Sequence, residues 1–294
     1  MGHTVDVFVP NKVPDFLKWM KNCDKIHIAS REVEKAQEII TNATIIFAVD
    51  FNDISRIDTF SDLIKKSNAY KVLIDHHPDP DPLADLIISQ TSVSSTAELV
   101  YYLLRELNLS NLIDKDISEC IYCGIMTDTG CFSFNSSRTE TFHTVAELLN
   151  YNINKDKIYD LVYDNFSYSR MKLMGYCLDK KMVYLKEHKT AYISLSQKEL
   201  REYNFRIGDS EGFVNMPLSI KGVILSALFI EKKDMVKISL RSKGNFAVNK
   251  IAAEYFHGGG HENASGGESY ESLEKTVDKF VNLLPKFKDE LHTV

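Results

Sequence analysis

The chain has 294 residues, 44% hydrophobic and 26% charged, with 13 Gly and 7 Pro; this excludes disordered and fibrous classes and suits two medium domains better than one core. With a formal charge of −6 the protein as a whole is not expected to be held on long nucleic acid by bulk electrostatics, so any phosphate recognition is local. Five scattered cysteines exclude the dense, even framework of a small secreted domain and predict a reducing, cytoplasmic setting.

The opening Met1 to Val9 reads as an alternating strand and lacks the basic and apolar regions of a leader peptide. No apolar run approaches the roughly 18 residues of a membrane span, so no membrane partner is expected. Strand signals at Thr4–Val9, Lys25–Ala29, Ile45–Val49 and Lys71–Ile74 alternate with helical spacing over Pro14–Asn22, Ser30–Ile40 and Ile57–Ser67. That βαβα order predicts an α/β fold with a mostly parallel, Rossmann-like sheet. Thr96–Glu106 continues it as an amphipathic helix with Ala97, Val100, Tyr101 and Leu104 on one face. Two helices over Asn154–Leu178 are expected to link the halves. Beyond them Met182–Leu185, Thr190–Leu195, Gly222–Glu231 and Met235–Arg241 read as successive strands, followed by a Gly-rich turn and a last helix from about Leu273. A smaller α/β domain is predicted there: a mixed sheet built chiefly by antiparallel pairing, with helices on one face. The expected boundaries are 1–153, a helical linker at 154–181, and 182–294.

In open parallel sheets, functional side chains gather just beyond the carboxyl ends of strands. Asp50 follows Ile45–Val49, and Asp75-His76-His77 follows Val72-Leu73-Ile74. A lone strand-end His is more often structural, and an isolated Asp is more often a cap or turn former. Two adjacent imidazoles beside a carboxylate, however, can bind a metal and a phosphoryl oxygen from neighbouring positions. With Asp128, which follows an apolar helical stretch, they make an oxygen and nitrogen donor set that suits Mn²⁺ or Mg²⁺. In the second half, Arg241 offers a planar fork for phosphate. The run Gly258-Gly259-Gly260-His261 lets backbone N–H groups approach an anion and adds a pH-dependent donor. Cys120 and Cys123 fit a C-x-x-C pattern without the strand and turn of a redox site, so they read as core cysteines. Tyr159, Tyr163, Phe166 and Tyr168 could stack on bases, but their near-helical spacing favours packing.

These runs together resemble the DHH phosphoesterases, in particular the bacterial oligoribonuclease and pAp phosphatase type. A-V-D-F-N-D-I-S-R around Asp50, D-H-H-P at 75–78, S-S-T-A-E at 94–98 and G-I-M-T-D-T-G-C-F at 124–132 are similar to that family's second to fourth motifs and their surroundings. K-I-S-L-R-S at 237–242 and G-G-G-H followed by N-A-S-G-G at 263–267 resemble the DHH-associated substrate domain. The resemblance implies hydrolysis of short oligoribonucleotides to mononucleotides and of pAp to AMP, with two Mn²⁺ or Mg²⁺ ions. It implies Asp50 as the bridging ligand, His76 and Asp128 as further ligands, His77 against the scissile phosphate and Asp75 as support for the His pair. Ser239, Arg241, Gly259, Gly260 and His261 would hold the substrate's phosphate end. Short RNA and pAp are the implied partners, and a homodimer is left open. The family's first motif, H-x-x-x-D-x-D after its first strand, has no counterpart here, and Met1 to Asn11 resembles the family's second strand. The chain is therefore expected to start downstream of that motif, with the first metal site incomplete. The alternatives are a cyclic- or linear-dinucleotide phosphodiesterase, or a nucleotide-binding protein without turnover.

Overall fold

Alternating β-branched runs and amphipathic helices bury their apolar faces against one another. In a computed structural model that describes residues 2–51, 60–78, 80–82 and 84–293 they do so in two units, Met1–Asn165 and Phe166–Val294.

The first unit runs β1 (Phe8–Val9), β2 (His27–Ile28), α1 (Val33–Asn42), β3 (Ile45–Val49), α2 (Ser61–Lys66), β4 (Tyr70–Asp75), β5 (Leu86–Ser89), α3 (Thr96–Glu106), α4 (Lys115–Asp128), α5 (Thr139–Leu149) and α6 (Lys155–Tyr163). Every strand pair among its described residues is parallel: β1 with β2, and β3-β4-β5 in a separate sheet. The two N-terminal strands are shorter than their alternation predicts. Pro14–Asn22 forms a single 3-10 turn at Asp15–Leu17 where a helix was expected, and Asn22 adopts φ 61°. Its apolar side chains Phe16, Leu17, Trp19 and Met20 pack instead on the core of α4 to α6. Residues 57–59 of the helix expected over Ile57–Ser67, and 52–56 of the run after Asp50, lie outside the described residues.

Strand β4 is central, and Val72, Leu73, Ile74 and Asp75 are all buried, as a strand flanked on both sides and covered on both faces requires. Helix α3 starts at Ser95, whose Oγ accepts the Glu98 N–H, and α4 at Asp114, which accepts the Ile117 N–H. The apolar side of α4, Ile121, Tyr122, Cys123, Ile125 and Met126, packs with Tyr101, Leu148, Ile158 and Val162. Burial pushes the Cys123 thiol up to about 12, which keeps it protonated and inert.

The second unit runs α7 (Tyr168–Tyr176), β6 (Met182–Leu185), β7 (Thr190–Leu195), α8 (Gln197–Glu202), β8 (Leu225–Glu231), β9 (Val236–Ser242), α9 (Val248–Tyr255), β10 (Gly259–His261), β11 (Ala264–Ser269), α10 (Leu273–Leu283) and α11 (Lys288–Thr293). Its sheet has the order β10-β11-β9-β8-β7-β6. All pairs are antiparallel except β7 with β8, because α8 and the segment after it carry the chain back to the end where β7 began. The expectation of helices on one face is also corrected. Leu225, Ala227 and Phe229 of β8 join a core with α9 and α10, while Leu228 and Ile230 join another with Leu173 of α7 and Leu200 of α8. Covering both faces explains why β8 is buried from Leu225 to Ile230, Ser226 included, rather than at alternate positions. Helix α6 belongs to the core of the first unit and α7 to that of the second.

Candidate metal centre

Strand β4 delivers Asp75 to the end of the sheet as a fully buried carboxylate, and the chain then turns through His76 and His77. Asp75 Oδ1 accepts the His76 backbone N–H at 2.8 Å and lies 2.7 Å from His77 Nδ1. Its Oδ2 is buried and has no hydrogen-bond partner among the described residues. Burial pushes this carboxyl up, yet the His77 ring and the two backbone N–H groups outweigh it and hold it below the ordinary range.

His76 is buried, and its Nδ1 lies 3.4 Å from the Val93 carbonyl. Donation to that carbonyl puts the proton on Nδ1 and turns the Nε2 lone pair toward Asp50 Oδ1, 4.0 Å away, and Asp128 Oδ2, 3.9 Å away. Burial, with His77 alongside, lowers the pKa of His76 against the pull of the Val93 carbonyl and the nearby acids. The ring is thus held neutral, the form that ligates metals.

Asp50 follows β3 with φ 66°, a left-handed conformation unusual for a residue with a side chain, and its N–H donates to the Ile74 carbonyl at 3.1 Å. Asp128 is the last residue of α4, not part of the loop beyond it, and its side chain is 40% exposed. Burial, and then the negative charge of Asp50, push its carboxyl up to about 7, with His77 opposing. One ligand atom from each of Asp50, His76 and Asp128 lies within 4.8 Å of the others. Asp50, Asp75 and His77 meet the same limit, but there Asp75 Oδ1 is already engaged by His77. In the first trio both acids are exposed, Asp50 at 56% and Asp128 at 40%. Two acids and a neutral imidazole fit a divalent cation, which would relieve the repulsion that raises Asp128.

Sequence reasoning named the S-S-T-A-E run without giving it a task. Thr96, at the start of α3, donates from Oγ1 to Asp50 Oδ1 at 2.7 Å and lies 3.4 Å from Asp75 Oδ1. Fully buried Glu98 locks the turn before it, accepting the Ser94 N–H at 2.8 Å, Ser94 Oγ at 2.5 Å, Thr141 Oγ1 at 3.0 Å and the Tyr102 hydroxyl. The Ser95-x-x-Glu98 spacing, a helix-start signature, was the available signal.

In the second unit, Ser239 and Arg241 share the less buried face of β9, opposite Val236, Ile238 and Leu240 in the core. Arg241 Nη1 donates to the Leu240 carbonyl at 2.9 Å. The Gly-rich run is not the turn that was expected. Gly259, Gly260 and His261 form β10, paired with β11. The glycines answer to close backbone approach: a Cβ on Gly258 would stand 2.0 Å from the Gly266 carbonyl oxygen, and Gly260 has φ 136°.

Comparison with known proteins matches residues 1–125 to the DHH family, N-terminal domain, and residues 189–290 to the DHHA1 domain. The chain is 30% identical over 270 residues to the probable bifunctional oligoribonuclease and PAP phosphatase NrnA of Streptococcus mutans, covering 91% of this chain and 80% of that protein. It is 30% identical over 227 residues to the bifunctional oligoribonuclease and PAP phosphatase NrnA of Bacillus subtilis, covering 77% and 70%. The crystal structure of an exopolyphosphatase-related protein from Bacteroides fragilis superposes with a TM-score of 0.92 at 46% identity, covering 98% of this chain and 84% of that one.

Proposed function

The chain belongs to the DHH family, and from that premise we propose that it is a metal-dependent phosphoesterase of the oligoribonuclease and PAP phosphatase type, hydrolysing short oligoribonucleotides to mononucleotides and pAp to AMP. The observation that carries this reading is the convergence of Asp50, His76 and Asp128 within 4.8 Å beyond two parallel strand ends. A set of two carboxylates and one imidazole without thiolate favours Mn²⁺ or Mg²⁺. When bound, such an ion supplies Lewis-acid activation of water and of a phosphoryl oxygen.

The chain's own residues have separate tasks. Asp50 and Asp128 supply negative charge, and His76 supplies a neutral nitrogen whose direction the Val93 carbonyl sets. Thr96 fixes the rotamer of Asp50. His77, its ring held through Nδ1 by Asp75, neutralises charge gathering on the phosphoryl oxygens. Arg241, Ser239 and the Gly259–His261 strand take the phosphate at the far end of the substrate.

The test is Mn²⁺-dependent release of mononucleotides from a dinucleotide and of phosphate from pAp. Turnover of either substrate that EDTA abolishes and Mn²⁺ restores is the expected result. Binding of both substrates without any product would overturn the reading in favour of a nucleotide-binding protein.

A further inference from the structure

The second unit holds a concavity that the candidate centre does not use. It is an open depression of about 620 Å³ where α8, the segment after it and the β8–β9 turn come together. Arg201, Arg206, Lys232 and Lys233 line it with Phe205, against one lining carboxylate, Glu231. Glu231 is already engaged: its Oε2 accepts the Gln197 backbone N–H at 2.8 Å. Nearby Asp209 is likewise turned to the Arg206 backbone N–H at 2.6 Å. A local excess of cations therefore stands in a chain whose formal charge is −6.

Lys232 is the telling member. It is half-buried, and its Nζ sits 5.3 Å from the centroid of the Phe205 ring. A buried ammonium needs an anion or a π-face to offset lost hydration. Burial, and then the charge of Lys237, hold its pKa below the ordinary range, and the charge of a bound anion would oppose that lowering. The cavity also lies at the opposite end of the β8–β9 hairpin from Arg241. Glu231 pairs with Val236 at this end of the hairpin and Ser226 with Arg241 at the other. Five residues of strand at about 3.3 Å each put the two ends about 17 Å apart.

We propose that this cavity is a second anion site, taking a triphosphate-class polyanion. Two guanidinium forks and two ammonium groups match a run of phosphates better than a single one. The volume lies in the range of roughly 300–1,000 Å³ typical of small-molecule sites. Phe205 gives the site an aromatic ring, so the source is either a nucleoside triphosphate or free inorganic triphosphate.

The experiment is calorimetric titration of the full chain with ATP and, separately, inorganic triphosphate, in EDTA so that turnover plays no part. Saturable binding with Kd below about 100 µM is expected for at least one probe. The exposed-site double variant Arg201→Gln, Arg206→Gln should weaken it about tenfold or more, and Lys232→Gln should act in the same direction. Arg241→Gln, which removes the fork proposed for the substrate's phosphate, should keep a saturable site that the double variant weakens. Tighter binding of ATP assigns the nucleoside form, and tighter binding of inorganic triphosphate assigns the free anion. No saturable heat from either probe up to about 1 mM, or a loss in Arg241→Gln equal to that in the double variant, overturns the proposal.

Discussion

The two units place their candidate residues at strand ends by opposite means. At the end of β4 the first unit gathers groups that disfavour each other: two acids 3.9 and 4.0 Å from one imidazole, a buried Asp75, and Asp50 in a left-handed conformation. Such a cluster persists only if surrounding bonds hold it. At the β9–β11 end the second unit relies on glycine, which lets neighbouring backbones close up, beside an Arg241 guanidinium that donates to the Leu240 carbonyl. The first arrangement is electrostatically loaded and needs supports, whereas the second is sterically loaded and needs the absence of side chains. Substitutions in the first should therefore change chemistry with little change in fold, and those in the second should change fold or binding.

The largest effect is expected from the acids. Asp50→Asn or Asp128→Asn keeps the shape, removes a charged donor, and should lower Mn²⁺-dependent dinucleotide hydrolysis by about a thousandfold. The metal-free thermal midpoint should stay or rise, since the repulsion between Asp50 and Asp128 disappears. Activity within tenfold of the unaltered chain would show that the trio is not the reacting centre.

A smaller loss tests the supports. Thr96→Val is nearly isosteric and removes the 2.7 Å bond to Asp50 together with the 3.4 Å contact to Asp75. Activity should fall by about 10- to 100-fold, with the Mn²⁺ concentration for half-activation raised and the folded structure intact. An unchanged Mn²⁺ requirement would reduce Thr96 to a helix-start residue.

These supports mark the limit of what the sequence discloses. Asp50, Asp75 and the His pair were legible because apolar runs of fixed length end on them, and strand ends are where such sheets expose chemistry. Thr96 and Thr141 were not, because their acceptors lie 46 and 43 residues away along the chain, and no periodicity links such positions. The apolar run of β8 announced burial but not which helices cover each face. Gly258 to Gly260 read as a turn because glycine permits turn and close packing alike; only the Gly266 carbonyl on the neighbouring strand decides between them.

The second unit should respond in its own way. Gly260→Ala forces a Cβ to 2.7 Å from the Ala264 carbonyl oxygen at φ 136°, and should destabilise this unit by about 2 kcal/mol or more in a denaturant titration. Arg241→Lys keeps the charge and loses the fork, so KM for pAp should rise about tenfold with kcat nearly unchanged. A fall in kcat at constant KM would instead place Arg241 among groups that act only in the transition state.

The smallest effect follows from Asp128 and separates the loaded site from the unloaded one. Its carboxyl is raised from an ordinary 3.8 to about 7 by burial and by Asp50. A raised acid favours the folded state fully below its unfolded pKa, and that contribution is lost as pH climbs through the folded value. Between pH 5 and 8 the metal-free chain should therefore lose thermal stability relative to Asp128→Asn, which cannot titrate there. The side chain is 40% exposed, so solvent screening keeps the difference small, no more than about 4 °C. A bound cation reverses the sign, because it favours the ionised carboxylate that the apo site resists. Saturating Mn²⁺ should raise the thermal midpoint more at pH 8 than at pH 6, and Asp128→Asn should flatten that difference. Equal Mn²⁺ shifts at both pH values in the unaltered chain would mean that Asp128 is ionised without the metal, and that the site is less loaded than its geometry implies.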